Sequence, residues 1–182
     1  MAYTKTTWVN GTTPINATNL NKIEDGIENA STTKPMLMCS LNTTNNNEII
    51  NISTAYTDVD LPLVKKLGVN DTNNLEVSSN KVYVRSSKIK HLKISCQSLI
   101  NRGSNNTTMY LSVKKNGTTI YDSRGQHELE YDALAIPITP IIIDVAENDY
   151  ISWAFSSSSI GDATLYKGST SNFMLIEAID VE

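Results

Sequence analysis

The sequence predicts a mainly β protein, in which one short N-terminal helix precedes a β-sandwich of the jelly-roll type. Three observations carry this prediction. Apolar residues between positions 17 and 30 recur at helical spacing. From Met36 onward the apolar pattern changes to period two, with turn signals at the spacing of a sandwich or jelly roll. No strand–helix–strand alternation of the kind that builds a parallel sheet occurs along the chain.

The helix lies in "TPINATNLNKIEDGIENA". Asn10-Gly11 marks a turn ahead of it and Pro14 marks its approach. Asn16 is the expected N-cap, because its side-chain oxygen accepts a bond from an otherwise unpaired helix N–H. Ala17, Leu20, Ile23, Ile27 and Ala30 then form a stripe at spacings of three and four. The stripe is narrow, closer to a coiled-coil seam than to the wide apolar face of a globular helix. Gly26 weakens the helix by about 1 kcal/mol relative to Ala, and an isolated helix of this length is marginal in water. Its stability therefore has to come from partners. Pro35 disfavours helical geometry at Lys34, which places a boundary between residues 34 and 35.

Beyond that boundary the sequence predicts roughly eight strands. "KPMLMCSL" reads as the first, and "IINISTAYTDVDLPLV" as one or two short ones after a polar Asn-rich loop. "LEVSSNKVYVRS" reads as two segments meeting near Ser79-Asn80. In "IKHLKISCQSLI", Leu92, Ile94 and Cys96 alternate with Lys93, Ser95 and Gln97. "MYLSVKKNGTTIYDS" is a hairpin, with Leu111 and Val113 on one face and Asn116-Gly117 suited to positive φ at the turn. In "ALAIPITPIIIDV", Pro137 and Pro140 restrict the strand to an edge, a bend or a strand end. "DYISWAFS" sets Ile151, Trp153 and Phe155 on one face, so Trp153 is expected in the core. "NFMLIEAIDV" closes the sandwich.

Composition narrows the function. The chain has 182 residues, of which 40% are hydrophobic and 19% charged, enough apolar material for one real core. Asn, Thr and Ser make up about a third, a bias of β-rich surface proteins. A net charge of −4 argues against nucleic acid as a partner. Lys88, Lys90, His91 and Lys93 form a local basic run, expected to be a solvated strand face. The N-terminus has no apolar signal segment, and no run is long enough to span a bilayer, so folding in a cytoplasm without membrane insertion is expected. Cys39 and Cys96 sit in alternating apolar stretches and are expected as buried thiols.

Catalytic patterns are missing. His91 and His127 have no second ligand at metal-binding spacing, so neither a metal nor a cofactor is expected. "DSRGQHELEYD" gathers Asp122, Arg124, His127, Glu128, Glu130 and Asp132, but without the spacing of a calcium loop. It reads as a polar inter-strand loop, and so does the Ser-rich stretch 156–162. No nucleophile elbow, phosphate loop or dinucleotide fingerprint is present.

The first 30 residues carry Trp8, Asn10-Gly11, Thr13-Pro14-Ile15-Asn16-Ala17, Leu20-Asn21-Lys22-Ile23-Glu24 and Gly26-Ile27. This pattern resembles the N-terminal module of tail-fibre, baseplate and receptor-binding proteins of phages that infect Gram-positive bacteria. The resemblance implies a segment that anchors a trimeric appendage to a virion. The remainder resembles the trimeric jelly-roll heads typified by C1q and tumour necrosis factor. That resemblance rests on "LSVKKNGTTIYD", "VAENDYISWAF" and "STSNFMLIEAI", with Asn148-Asp149 where that family often has Gly-Asp.

Together they imply residues 1–34 as anchor and trimerising helix, with Trp8, Pro14, Leu20, Ile23 and Ile27 in that role, and 35–182 as a jelly-roll knob. The expected function is a non-enzymatic virion protein forming a short homotrimeric fibre on the tail or head. Other virion proteins (portal, baseplate or capsid) and host cell-wall glycan are its expected partners. The alternatives are a capsid-decorating head fibre without receptor binding, a glycan-degrading tail enzyme, and a host-encoded adhesion module of the C1q type. Recognition is expected in loops 101–107, 122–132 and 156–163.

Overall fold

The computed structural model describes residues 16–31, 34–40, 47–69, 73–101, 107–127, 134–166 and 172–181. One helix, α1 (Ala17–Ser31), precedes the strands. The strands are β1 (Met36–Ser40), β2 (Glu48–Ile52), β3 (Val59–Asp60), β4 (Val64–Val69), β5 (Leu75–Ser78), β6 (Lys81–Val84) and β7 (Ile89–Asn101). They continue with β8 (Thr107–Lys115), β9 (Thr118–His127), β10 (Leu134–Asp144), β11 (Tyr150–Ser157), β12 (Gly161–Leu165) and β13 (Phe173–Val181).

Asn16 caps α1 as its sequence position suggests. Its Oδ1 accepts the Asn19 amide at 2.9 Å, and its carbonyl accepts the Leu20 amide at 3.0 Å. The strands pair antiparallel throughout and form a jelly roll of two sheets. One sheet has seven strands, β2-β12-β7-β13-β1-β4 with β10 also on β7; the other has six, β5-β6-β11-β8-β9 with β3 also on β11. After β4 the chain alternates between the sheets, visiting β5-β6, β7, β8-β9, β10, β11 and finally β12-β13. These exchanges give each sheet neighbours distant in sequence, so the core closes only when the whole knob has folded.

Thirteen strands form among the described residues where the pattern suggests about eight: the stretch read as one or two short strands holds three, β2, β3 and β4, and β12 adds another, with β3 and β12 only two and five residues long. Such short segments carry too few alternations to stand out from a polar background. Two of the stretches read as loops are largely strand. Residues 122–127 continue β9, because the register set at the Asn116-Gly117 turn runs on to His127 opposite Thr107. Ser156 and Ser157 belong to β11, and Gly161 opens β12, which pairs along β2. Residues 102–106 and 128–132 lie outside the described residues.

Turn chemistry is local and legible. Ser79 and Asn80 have φ of 49° and 60°, and Asn116 and Gly117 have 51° and 82°. Both pairs are two-residue hairpin turns whose twist matches that of the flanking strands. Asn148 stands at φ 71°, the left-handed conformation that glycine adopts freely and Asn tolerates. That conformation explains why Asn can replace Gly before Asp149. Pro137 and Pro140 fall on β10, which among the described residues pairs with β7 alone, and the register shifts between Ile138 and Ile141 around Pro140.

The core lies between the sheets. Leu37, Cys39, Leu92, Ile94, Cys96, Met174 and Ile176 face Leu111, Val113, Ile151, Trp153 and Phe155 across it. Along β7 the neighbour changes from β13 to β12, and buried Asn172 completes the junction. Leu99 donates its amide to Asn172 Oδ1 at 2.7 Å, while its carbonyl accepts the Tyr166 amide at 3.1 Å. A polar side chain here supplies the bond that neither strand reaches.

Candidate functional site

The anticipated anchoring residues fall into two groups. Trp8 and Pro14 lie outside the described residues. In α1, Leu20 is 47% exposed and Ile23 is half-buried. Ile27 occupies the helix, although its side chain is not among those described. Among the described residues, no strand packs extensively along α1, and Leu20 is left largely open. Leu111, Val113, Ile151, Trp153 and Phe155 are fully buried. Trp153 Nε1 has no hydrogen-bond partner among the described residues, so this indole contributes packing and no polar anchor.

The outer face of the seven-stranded sheet follows from the same alternation. Buried Leu37, Cys39, Met174 and Ile176 alternate with half-buried Met36, Met38, Phe173 and Leu175. Met38 pairs with Leu175 on one side and Leu67 on the other, and Leu175 pairs with Ser95. Leu67 is 51% exposed and Ile142 64%. Met36, Met38, Phe173, Leu175 and Leu67 make a contiguous apolar strip on a face that a single chain leaves uncovered, with Ile142 beyond Lys93 on β10. Its border is polar: Lys93 meets Glu177 at 2.9 Å and His91 meets Asp144 at 3.1 Å. Half of the basic run is thus matched by acids on β10 and β13, while Lys88 and Lys90 remain exposed.

The outer face of the six-stranded sheet is different. At one end Tyr83 and Tyr150 pack at 5.7 Å, with Arg85 4.5 Å from the Tyr83 ring and Lys81 4.2 Å from the Tyr150 ring. Arg85 is held in turn by Glu76 at 2.6 Å. Further along, Lys114 bonds Asp58 at 3.0 Å and approaches Asp60 at 3.7 Å. At the other end Tyr56 tilts against Tyr110, with ring centres 6.2 Å apart. Tyr56 has φ 59°, a conformation that costs a non-glycine residue about 1–2 kcal/mol. Its amide, bonded to the Ser157 carbonyl at 2.8 Å, holds it there. These tyrosines escaped the sequence reading. The available signal was eight Tyr against two Phe and two Trp, an excess of aromatics suited to half-exposed positions.

Groups with catalytic potential are dispersed. Among the described residues, no three of His, Cys, Asp and Glu converge to hold a metal. Cys39 and Cys96 both pair with Met174, one on each side of it. Two strand spacings, about 10 Å, therefore separate them, too far for a disulfide. Burial pushes the Cys96 thiol far above its ordinary range, so it is not a nucleophile. A shallow hollow beside Lys34, Met36 and Ile179 is lined by Lys93 and Glu177, which satisfy each other. Asp149 braces the turns. Burial alone would raise its pKa, but Asn116, Lys115 and the Ala146 amide donate to it and the Lys115 charge adds to them, leaving it below the ordinary value.

The sequence matches no family model and no curated protein sequence. The fold, by contrast, is similar to solved structures. Murine APRIL at pH 5.0 superposes with a TM-score of 0.59 at 11% identity, covering 81% of this chain and all of that one. Eiger TNF from S. frugiperda superposes with a TM-score of 0.53 at 10% identity, covering 82% of this chain and 96% of that one. At such identities the likeness is one of architecture: the chain folds as a jelly roll of the tumour-necrosis-factor type.

Proposed function

We propose that this chain is a non-enzymatic structural protein of a bacteriophage virion, forming a short homotrimeric fibre. Residues 1–34 attach it to another virion protein, and the jelly-roll knob meets the host surface. One observation carries the reading: a single chain leaves apolar side chains open on α1 and across the outer face of the seven-stranded sheet. Copies of the same chain around a threefold axis would cover both, since the helix stripe is narrow and self-complementary. The motif around Trp8, Pro14 and "NATNLNKIE" supports a virion anchor rather than a host adhesion module.

The mass of the purified chain in solution tests this reading. The expected value is three times 20.0 kDa, and a stable monomer overturns it. A fragment starting near Lys34 should fold yet fail to join particles. Labelled particles imaged by electron microscopy would place the fibre on the tail or the head, and release of reducing sugar from host cell walls would favour the tail-enzyme alternative.

A further inference from the structure

The sequence holds two Asn-Gly pairs, Asn10-Gly11 and Asn116-Gly117. This dipeptide has a chemistry of its own. Glycine carries no side chain to shield its amide nitrogen, and that nitrogen attacks the carbonyl carbon of the Asn side chain. A C–N bond forms, and the amide proton leaves with the carboxamide nitrogen as ammonia. Water then opens the cyclic imide at either carbonyl, giving aspartate or isoaspartate. One water is consumed and one ammonia released, with no change of oxidation state.

Asn116 and Gly117 are both exposed at the tip of the β8–β9 hairpin, so water reaches them. The Asn116 carboxamide, however, is held at both ends by the start of β11. Its Nδ2 donates to Asp149 Oδ1 at 2.6 Å, and its Oδ1 accepts the Tyr150 amide at 2.9 Å. The Asn116 backbone amide donates to the Tyr150 carbonyl at 2.9 Å. Asp149 is fixed in turn by Lys115 and by the Ala146 amide, each at 2.9 Å. Loss of ammonia breaks the bond to Asp149, and ring closure turns the carboxamide out of its bond to Tyr150.

We propose that Asn116 is a latent deamidation site, which Asp149 and Tyr150 keep unreactive while the knob is folded. Opening of the turn exposes the pair to a one-way reaction. Aspartate at position 116 replaces the Nδ2–H donor with a second carboxylate facing Asp149, and like charges at that distance disfavour each other. Isoaspartate adds a backbone atom to a two-residue turn whose geometry sets the register of both strands. Neither product rebuilds the clamp, so the hairpin loses its fastening to β11. The turn belongs to a single chain, and the reaction is independent of the fibre reading.

The test incubates the full chain in mildly alkaline buffer, folded and in urea. Mass spectrometry of the peptide spanning 116 and 117 follows the one-dalton gain and the isoaspartate. In urea this pair and Asn10-Gly11 should react at similar rates. In the folded chain Asn116 should react at least about tenfold more slowly than in urea, because two side-chain bonds open first. Asp149→Ala should speed the folded reaction about fivefold or more. Ile94→Val, a core change of similar cost far from the turn, should leave it unchanged. Asn116→Asp reproduces one product and should melt at a lower temperature than the parent. A folded rate equal to the urea rate overturns the proposal. So does an Asp149→Ala rate no faster than the parent, or an Ile94→Val rate raised as much as that of Asp149→Ala. An unchanged melting temperature in Asn116→Asp overturns the one-way step.

Discussion

The two sheets contribute similar aliphatic residues to one core, yet their outer faces differ in kind. Behind Leu37, Met174 and Ile176 the seven-stranded sheet shows Met38, Phe173 and Leu175. Behind Leu111, Trp153 and Phe155 the six-stranded sheet shows tyrosines, serines and a Lys114–Asp58 pair. Strand alternation guarantees that each sheet has two faces, but not that the second is polar. An apolar second face marks a layer that expects another layer, and a polar one with exposed aromatics marks a surface that stays in contact with water. The difference between the two faces therefore bears on the proposed fibre, whose copies would meet through the apolar face.

Substitutions that break the common core should have the largest effect. Trp153→Ala should cost about 3–5 kcal/mol, measured by denaturant unfolding, and should disable both faces together. Trp153→Phe is the sharper variant. It also removes the unpartnered Nε1–H, so its cost should stay below about 1.5 kcal/mol.

The seven-stranded face should respond next. Met38→Glu with Leu175→Glu should weaken self-association by about two orders of magnitude or more, because each carboxylate would be buried unpaired. Sedimentation should show smaller species with unchanged β-sheet circular dichroism. Ile23→Asp should shift assembly in the same direction through α1. Unchanged oligomer size in all these variants would remove the reason for assigning the apolar face to self-association.

Turn variants should be milder and should leave the contrast between faces intact. Gly117→Ala places a Cβ 3.3 Å from Tyr150 Oη at a positive φ, and should cost about 1–2 kcal/mol in thermal or chemical melts. Asp149 provides the smallest effect. Its folded pKa lies below the unfolded value of about 3.9. Its contribution is therefore present above that value and lost as pH falls through the folded pKa. Asp149→Asn should cost about 1 kcal/mol at neutral pH, and should flatten the decline in melting temperature as pH falls below about 4.

Much of the fold was legible in particular residues. Asn16 read as a cap and is one, because capping depends on a side chain and an amide three residues away. Ser79-Asn80 and Asn116-Gly117 read as turns and take the required positive φ. The expected edge, bend or strand end at Pro137 and Pro140 became an edge strand with a register shift. By contrast, the start of β12 and the far half of β9 read as loops. Polar residues such as Asp122, Arg124 and Asp162 look the same in a loop and on the solvent side of a strand. Tyr56 was hidden for another reason. Its position depends on an amide bond to Ser157, about a hundred residues away in sequence.

The sequence alone determined the fold class, the change from helical to strand periodicity near Pro35, and the turns, because each depends on interactions within a few residues. It also determined the inward set of Leu111, Val113, Ile151, Trp153 and Phe155, through period-two alternation. Only the tertiary structure decided which strands share a sheet and which outer faces result. It set Cys39 and Cys96 on opposite sides of Met174, aligned Met38 with Leu175 and Leu67, and brought Tyr56 over Tyr110. These arrangements depend on pairings between strands far apart in the chain. Local propensity carries no record of such a pairing, and the shared core selects it only once both sheets are in place.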